Sequence, residues 1–98
     1  MTKEEASVVF KALGEPNRLK IVKMLLNNDD ELCACKLLGA VDCKQATLSH
    51  HLSVLKECKL LESRKSGKNI IYCINKKLLD EVNDFMRDSC EECRRLDE

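Results

Sequence analysis

The chain is 98 residues long and 44% hydrophobic, enough for one small domain with a modest core. That excludes a disordered tail and an enzyme with separate cofactor and substrate halves. Seventeen Lys and Arg balance seventeen Asp and Glu, which excludes a uniformly basic coat for nucleic acid.

No segment approaches the roughly 18 apolar residues that span a bilayer. The start, Met1 to Glu5, lacks the apolar stretch of a signal peptide, so the expected address is a bacterial-type cytoplasm, without a membrane partner. A chain this short buries a small fraction of its surface, and a partner subunit would help it.

In chain order, Ala6, Val9, Phe10 and Leu13 recur at helical spacing and predict a helix over 3–13, stopped by Gly14. Pro16 suits the first position of a second helix, carried by Leu19, Ile21, Val22, Leu25 and Leu26 to about Asn27. The polar break Asn27-Asn28-Asp29-Asp30 can cap a short third helix over 32–39. After a turn over 40–44, a fourth helix over 45–57 buries Leu48, Leu52 and Leu55. Two β-prone runs, 60–65 and 69–74, flank Ser66-Gly67-Lys68, a hairpin signal within 60–75. A last helix runs from 76 to about 93, with Leu79, Val82, Met86, Cys90 and Cys93 as its stripe, at the spacing of a helix–helix seam. The fold class is mainly α with a small β-hairpin in a single domain over 1–98, and its order, α-α-α-α-β-β-α, is that of a winged helix-turn-helix.

The neutral total hides a strong asymmetry. Residues 44–77 hold eight bases (Lys44, Lys56, Lys59, Arg64, Lys65, Lys68, Lys76 and Lys77) against Glu57 and Glu62. The flanking segments are acidic, so one face can meet a polyanion. A short helix, a turn and a second helix place that second helix in a major groove. Near its start the fourth helix carries Gln45, Thr47, Ser49 and His50, short donors and acceptors of the kind that read base edges. Lys44 and the hairpin's Arg64, Lys65 and Lys68 suit phosphate contacts. Phe10, Tyr72 and Phe85 are the only Phe, Trp or Tyr residues, too few for stacking single-stranded bases. Double-stranded DNA is therefore the expected partner.

Four runs carry a resemblance: 12–21 around Gly14-Glu15-Pro16-Asn17-Arg18, Glu31-Leu32-Cys33-Ala34-Cys35, Gln45-Ala46-Thr47-Leu48-Ser49-His50-His51, and 64–72 through Ser66-Gly67-Lys68. Together they make the chain similar to the arsenic-repressor (ArsR/SmtB) family over about residues 5–80. The resemblance implies a homodimer joined through the first and last helices, bound to operator DNA and released by a metal or metalloid ion. Two recognition helices about one DNA turn apart call for an imperfectly palindromic operator. Lys44 stands where relatives often carry a capping serine, and Asp42 is the alternative cap.

Seven cysteines, an odd number in a chain without a secretion signal, suit metal binding, redox sensing or packing better than disulfides. Cys33 and Cys35 are the expected ligands. On a regular helix they would differ in direction by about 200°, so one ion could hold both only by distorting the third helix. Soft thiolates select thiophilic ions, and the resemblance implies As(III) or Sb(III), or else cadmium, lead or zinc. No cofactor is needed for folding. The third cysteine that some relatives place three residues further on is Leu38 here; Cys43, Cys90 and Cys93 are the candidates to complete the site. Cys58 and Cys73 are read as non-ligands, Cys73 facing out from the second wing strand. His51 is read equally as a DNA contact or a packed residue. A thiol-redox or persulfide sensor on the same fold is the alternative, with Cys90 and Cys93 able to close a disulfide. No nucleophile–base–orienter set suggests an enzyme.

Overall fold

The computed structural model describes residues 1–88. Helix α1 (Lys3–Leu13) starts from a side-chain N-cap: the Thr2 hydroxyl accepts from the Glu5 amide at 3.1 Å and donates to the Glu5 carboxylate at 3.2 Å. Helix α2 (Pro16–Leu26) has Pro16 in its first turn and Glu15 as its cap, whose carboxylate accepts from the Arg18 amide. Strand β1 (Glu31–Cys33) leads directly into α3 (Ala34–Ala40), followed by α4 (Gln45–Glu57), β2 (Leu61–Ser66), β3 (Asn69–Ile74) and α5 (Lys76–Arg87). Helix α4 ends in a Schellman motif, with Leu60 N–H bonded to Leu55 C=O and Lys59 N–H to Lys56 C=O. Lys59 takes the left-handed φ of 67° that the motif needs, and Leu55 and Leu60 are both fully buried beside it.

One core gathers Val9 and Ala12 of α1, Ile21, Val22 and Leu25 of α2, Leu37 of α3 and Leu48, Leu52 and Leu55 of α4. Leu32, Leu61 and Ile74 close it from the sheet, and Val82 from α5. The first two helices, α4 and the hairpin lie where the sequence periodicity puts them. Among the described residues no helix is long and apolar enough to cross a membrane.

Two elements differ from expectation. The third helix does not begin at 32: Glu31–Cys33 is extended and pairs with β3 in a three-stranded antiparallel sheet of order β1-β3-β2. Glu31, Leu32 and Cys33 lie opposite Cys73, Tyr72 and Ile71, and the Ile74 amide donates to Asp30 C=O at 2.8 Å. The backbone groups of 31–33 find partners on β3, and Leu32 points alone into the core with its neighbours outward, the period of a strand. The last helix is described to Arg87, and Asp88 is extended with ψ 144°. The rest of the expected helix, with Cys90 and Cys93, lies outside the described residues.

Candidate nucleic-acid interface and thiol site

Helix α4 buries Leu48, His51, Leu52 and Leu55 and leaves Gln45, Thr47, Ser49 and His50 exposed together near its N-terminus. Lys44 is the N-cap residue, and neither it nor Asp42 supplies a side-chain cap. The helix start is therefore open to an anion, which the helix dipole favours.

His51 is a packed residue, 7% exposed. Its Nδ1 lies 3.3 Å from Arg18 Nη1 and its Nε2 3.6 Å from the Glu15 carboxylate. Arg18 Nε also donates to Ala12 C=O at 2.6 Å. This small polar network ties the α1–α2 junction to the buried side of α4 and so fixes the rotation of its exposed side. Sequence periodicity could hint at it, since His51 follows Leu48 by three residues, but its partners are 33 and 36 positions away.

In the hairpin, Gly67 supplies the left-handed φ of 63° at the first turn position and Lys68 follows without one, the pattern of a type II′ turn. Lys65 and Lys68 are exposed and form no ion pair among the described residues. Arg64 is placed differently. Its guanidinium reaches over β3 to the Glu31 carboxylate, Nη1 to Oε2 at 3.2 Å and Nη2 to Oε1 at 3.3 Å. Cys73, opposite Glu31 in the register, lies between them on the outer sheet face, with its Sγ 3.5 Å from Arg64 Nη1. Burial, chiefly, pushes the Cys73 thiol above its ordinary range. Lys56 Nζ donates to Ser63 Oγ at 2.9 Å and links α4 to the hairpin.

The junction of β1 and α3 brings Cys33 and Cys35 together. Cys33 is the extended N-cap residue of α3, with φ −76° and ψ 153°, and Cys35 lies one residue inside the helix. The 200° separation of two helical positions does not apply, because only one of the pair is helical. The start of the expected third helix is already unwound at Cys33, the condition under which one ion can take both sulfurs. The Cys35 thiol, as hydrogen-bond donor, is the main cause that holds the Cys33 pKa below its ordinary value. The Lys36 and Cys35 amides also favour a thiolate there, although the thiol itself makes no capping bond. Cys35 shifts the opposite way, mainly through the same pairing. Alkylation of Cys33 by iodoacetamide should accordingly reach half its limiting rate at a lower pH than a free cysteine, and Cys35→Ala should move that midpoint upward. An unchanged midpoint would exclude the pairing.

Each sulfur lines a different cavity. Cys33 borders one of about 300 Å³ with Asn28, Asp29, Glu31, Lys36 and Ile71. Cys35 borders a cleft of about 400 Å³ between α3, α4 and the hairpin, where Gln45, Ser49 and Lys68 also lie. Cys43 is half-buried against the core, and Cys58 donates to Leu55 C=O. Among the described residues no group of three His, Cys, Asp or Glu side chains gathers at a metal-holding distance.

A strand–helix–turn–helix with a basic two-stranded wing, its second helix presenting a polar row, defines a winged helix-turn-helix DNA-binding protein. Residues 15–63 match the model of the family described as "Bacterial regulatory protein, arsR family". The chain is 40% identical over 83 residues to the arsenical resistance operon repressor of Staphylococcus xylosus, covering 85% of this chain and 78% of that one. It is 46% identical over 72 residues to the cadmium resistance transcriptional regulatory protein CadC of Listeria innocua, covering 72% of this chain and 60% of CadC. An ArsR-like transcriptional regulator from Rhodococcus sp. RHA1 superposes with a TM-score of 0.78 at 29% identity, over 95% of this chain and 87% of that one. The chain belongs to the ArsR family of transcriptional regulators and is not an enzyme.

Proposed function

We propose that this chain represses transcription as a homodimer bound to a palindromic operator and leaves the DNA when a thiophilic ion is held by Cys33 and Cys35. The observation that carries the reading is the position of the thiol pair, at the joint between a strand of the wing sheet and the first helix of the helix-turn-helix. The names of relatives that respond to arsenicals and cadmium point to the same class of ion. Arsenite fits three thiolates and a tetrahedral metal such as zinc fits four, so one or both of Cys90 and Cys93, from the same or the partner chain, are the candidates to complete the site. Cys43 is a weaker candidate, being packed against the core.

Capture would tie Cys33 and Cys35, on the two sides of the strand–helix joint, to one ion. Strain at Cys33 passes along β1 to its ladder partner β3, and so to the wing; strain at Cys35 passes across the cleft to Gln45 and Ser49. The ion then binds the DNA-free form better, and by reciprocity DNA weakens ion binding by the same factor, usually about 5–150-fold. The dimer would use the apolar residues that the monomer leaves uncovered on its outer helices, Val8 and Phe10 of α1 and Met86 of α5, which are 55%, 42% and 64% exposed.

DNA binding followed by fluorescence anisotropy, with arsenite as inducer, tests the reading. Ser49→Ala or His50→Ala should cost about 1–3 kcal/mol of specific binding per lost base contact. Equal loss on random DNA would remove the base-reading role. Lys65→Ala or Lys68→Ala should flatten the salt dependence by about 0.9 log units of affinity per log unit of salt. An unchanged slope would take the wing tip off the phosphates. Arg64, already paired with Glu31, should contribute less than Lys68 in the same measurement.

A further inference from the structure

We infer that His51 is a positioning residue for the recognition helix that works only as the neutral imidazole, and that a proton added to it loosens α4 and lowers operator affinity. The inference rests on the proposed DNA reading and adds a condition to it.

The ring is buried on the inner side of α4, next in sequence to His50 of the exposed row. Its Nδ1 lies 3.3 Å from Arg18 Nη1. A guanidinium only donates and keeps its charge in a protein, so Nδ1 must be the acceptor. The ring proton is then on Nε2, which faces Glu15 Oε2 at 3.6 Å. A second proton, on Nδ1, would set one N–H against another in a largely buried place, beside a permanent positive charge. Arg18 has little room to yield. Its Nε donates to Ala12 C=O at 2.6 Å, and its amide donates to the Glu15 carboxylate at 3.0 Å. Glu15 meanwhile attracts the imidazolium through Nε2. Repelled on one side and drawn on the other, the charged ring shifts, and a close-packed interior passes that shift to the helix that carries it. The other charged or titratable groups around the network are His50, with its ring centroid 6.0 Å from that of His51, and Lys11 and Glu57, which line a groove with Arg18 and His50. Lys11 and Glu57 are exposed and opposite in sign, so neither replaces the Arg18 contact.

The test uses the full-length chain and a duplex that it selects from a random library at about pH 8. Affinity is read by fluorescence anisotropy at fixed salt from about pH 8 to about pH 5.5, the range in which histidines change charge. Acid adds positive charge and by itself favours binding to phosphates. Affinity should nevertheless fall about tenfold or more, and by no more than about tenfold per pH unit, the limit for one proton. His51→Gln should abolish the fall. Arg18→Gln keeps the ring but gives Nδ1–H a carbonyl to donate to, so it should also abolish the fall, and it serves if His51→Gln does not fold. His50→Gln should keep the fall, whatever it costs in affinity at about pH 8. Nitrogen-15 NMR of the DNA-free chain should show His51 as the Nε2–H tautomer at about pH 8. A level or rising wild-type profile, a fall that survives both glutamine variants at 18 and 51, a fall that comes with lost helical circular dichroism, or an Nδ1–H tautomer would overturn the inference. If the chain selects no duplex at all, the proposed function falls and takes this inference with it.

Discussion

Cys33→Ser and Cys35→Ser should each abolish release of operator DNA by arsenite. Serine keeps the size of the side chain, but its hydroxyl does not ionise to a soft ligand in the physiological range. The remaining cysteine would bind the ion through a single bond. DNA affinity should stay within about twofold, since neither side chain is buried and such substitutions cost roughly 0.5 kcal/mol or less. The measurement is the anisotropy titration with arsenite, run on each variant against wild type. Release at the wild-type arsenite concentration would remove the cysteine concerned from the site. Loss of DNA binding without any ion would mean that the pair holds the helix-turn-helix together rather than senses.

The second large effect is on stability. Leu37→Ala should cost about 2–5 kcal/mol, the range for truncating a fully buried leucine. Helix α3 has seven residues, too few to persist in isolation, and Leu37 is its single buried side chain. Leu37 is 0% exposed in the common core, so its removal loosens the whole anchorage of α3. A small domain has about 5–15 kcal/mol in total, so the melting temperature should fall by about 10 °C or more. Weakened DNA binding should accompany it at temperatures where the chain is still folded, because α3 is the first helix of the helix-turn-helix. A loss below about 1 kcal/mol in urea denaturation would show that α3 is held mainly by its strand and turn connections.

The coupling between thiols and DNA looks different from the way the sequence alone presents it. Read as a helix, residues 32–39 hold two sulfurs apart and require an ion to break the coil. In the folded chain the break is already there, because Cys33 belongs to a strand. The ladder bonds to β3 hold Cys33 outside the helix, so an ion does not have to unwind the coil before it can reach both sulfurs. The sensor strand is thereby a member of the wing sheet. The Glu31–Arg64 pair reinforces that membership from the outer face, at 3.2 and 3.3 Å.

Local order was legible in the residues. The helices over 3–13 and 16–26, the recognition helix with its exposed row from Gln45 to His50, and the hairpin around Gly67 each follow from periodicity, a cap or a turn residue, all of which act within a few positions. The nearness of Cys33 and Cys35 in the chain and the basic stretch over 44–77 were likewise readable, and they were enough to point to a DNA-binding, thiol-bearing regulator. Tertiary structure alone decided that Glu31–Cys33 is a strand, that His51 turns inward to Arg18 and Glu15, that Arg64 spends its charge on Glu31, and that Cys35 faces a cleft shared with the recognition helix. Each of these depends on a partner some 10 to 42 positions away in sequence. Neither the spacing nor the composition of a three-residue segment encodes such a partner; it exists only once the core has brought distant stretches of chain into register.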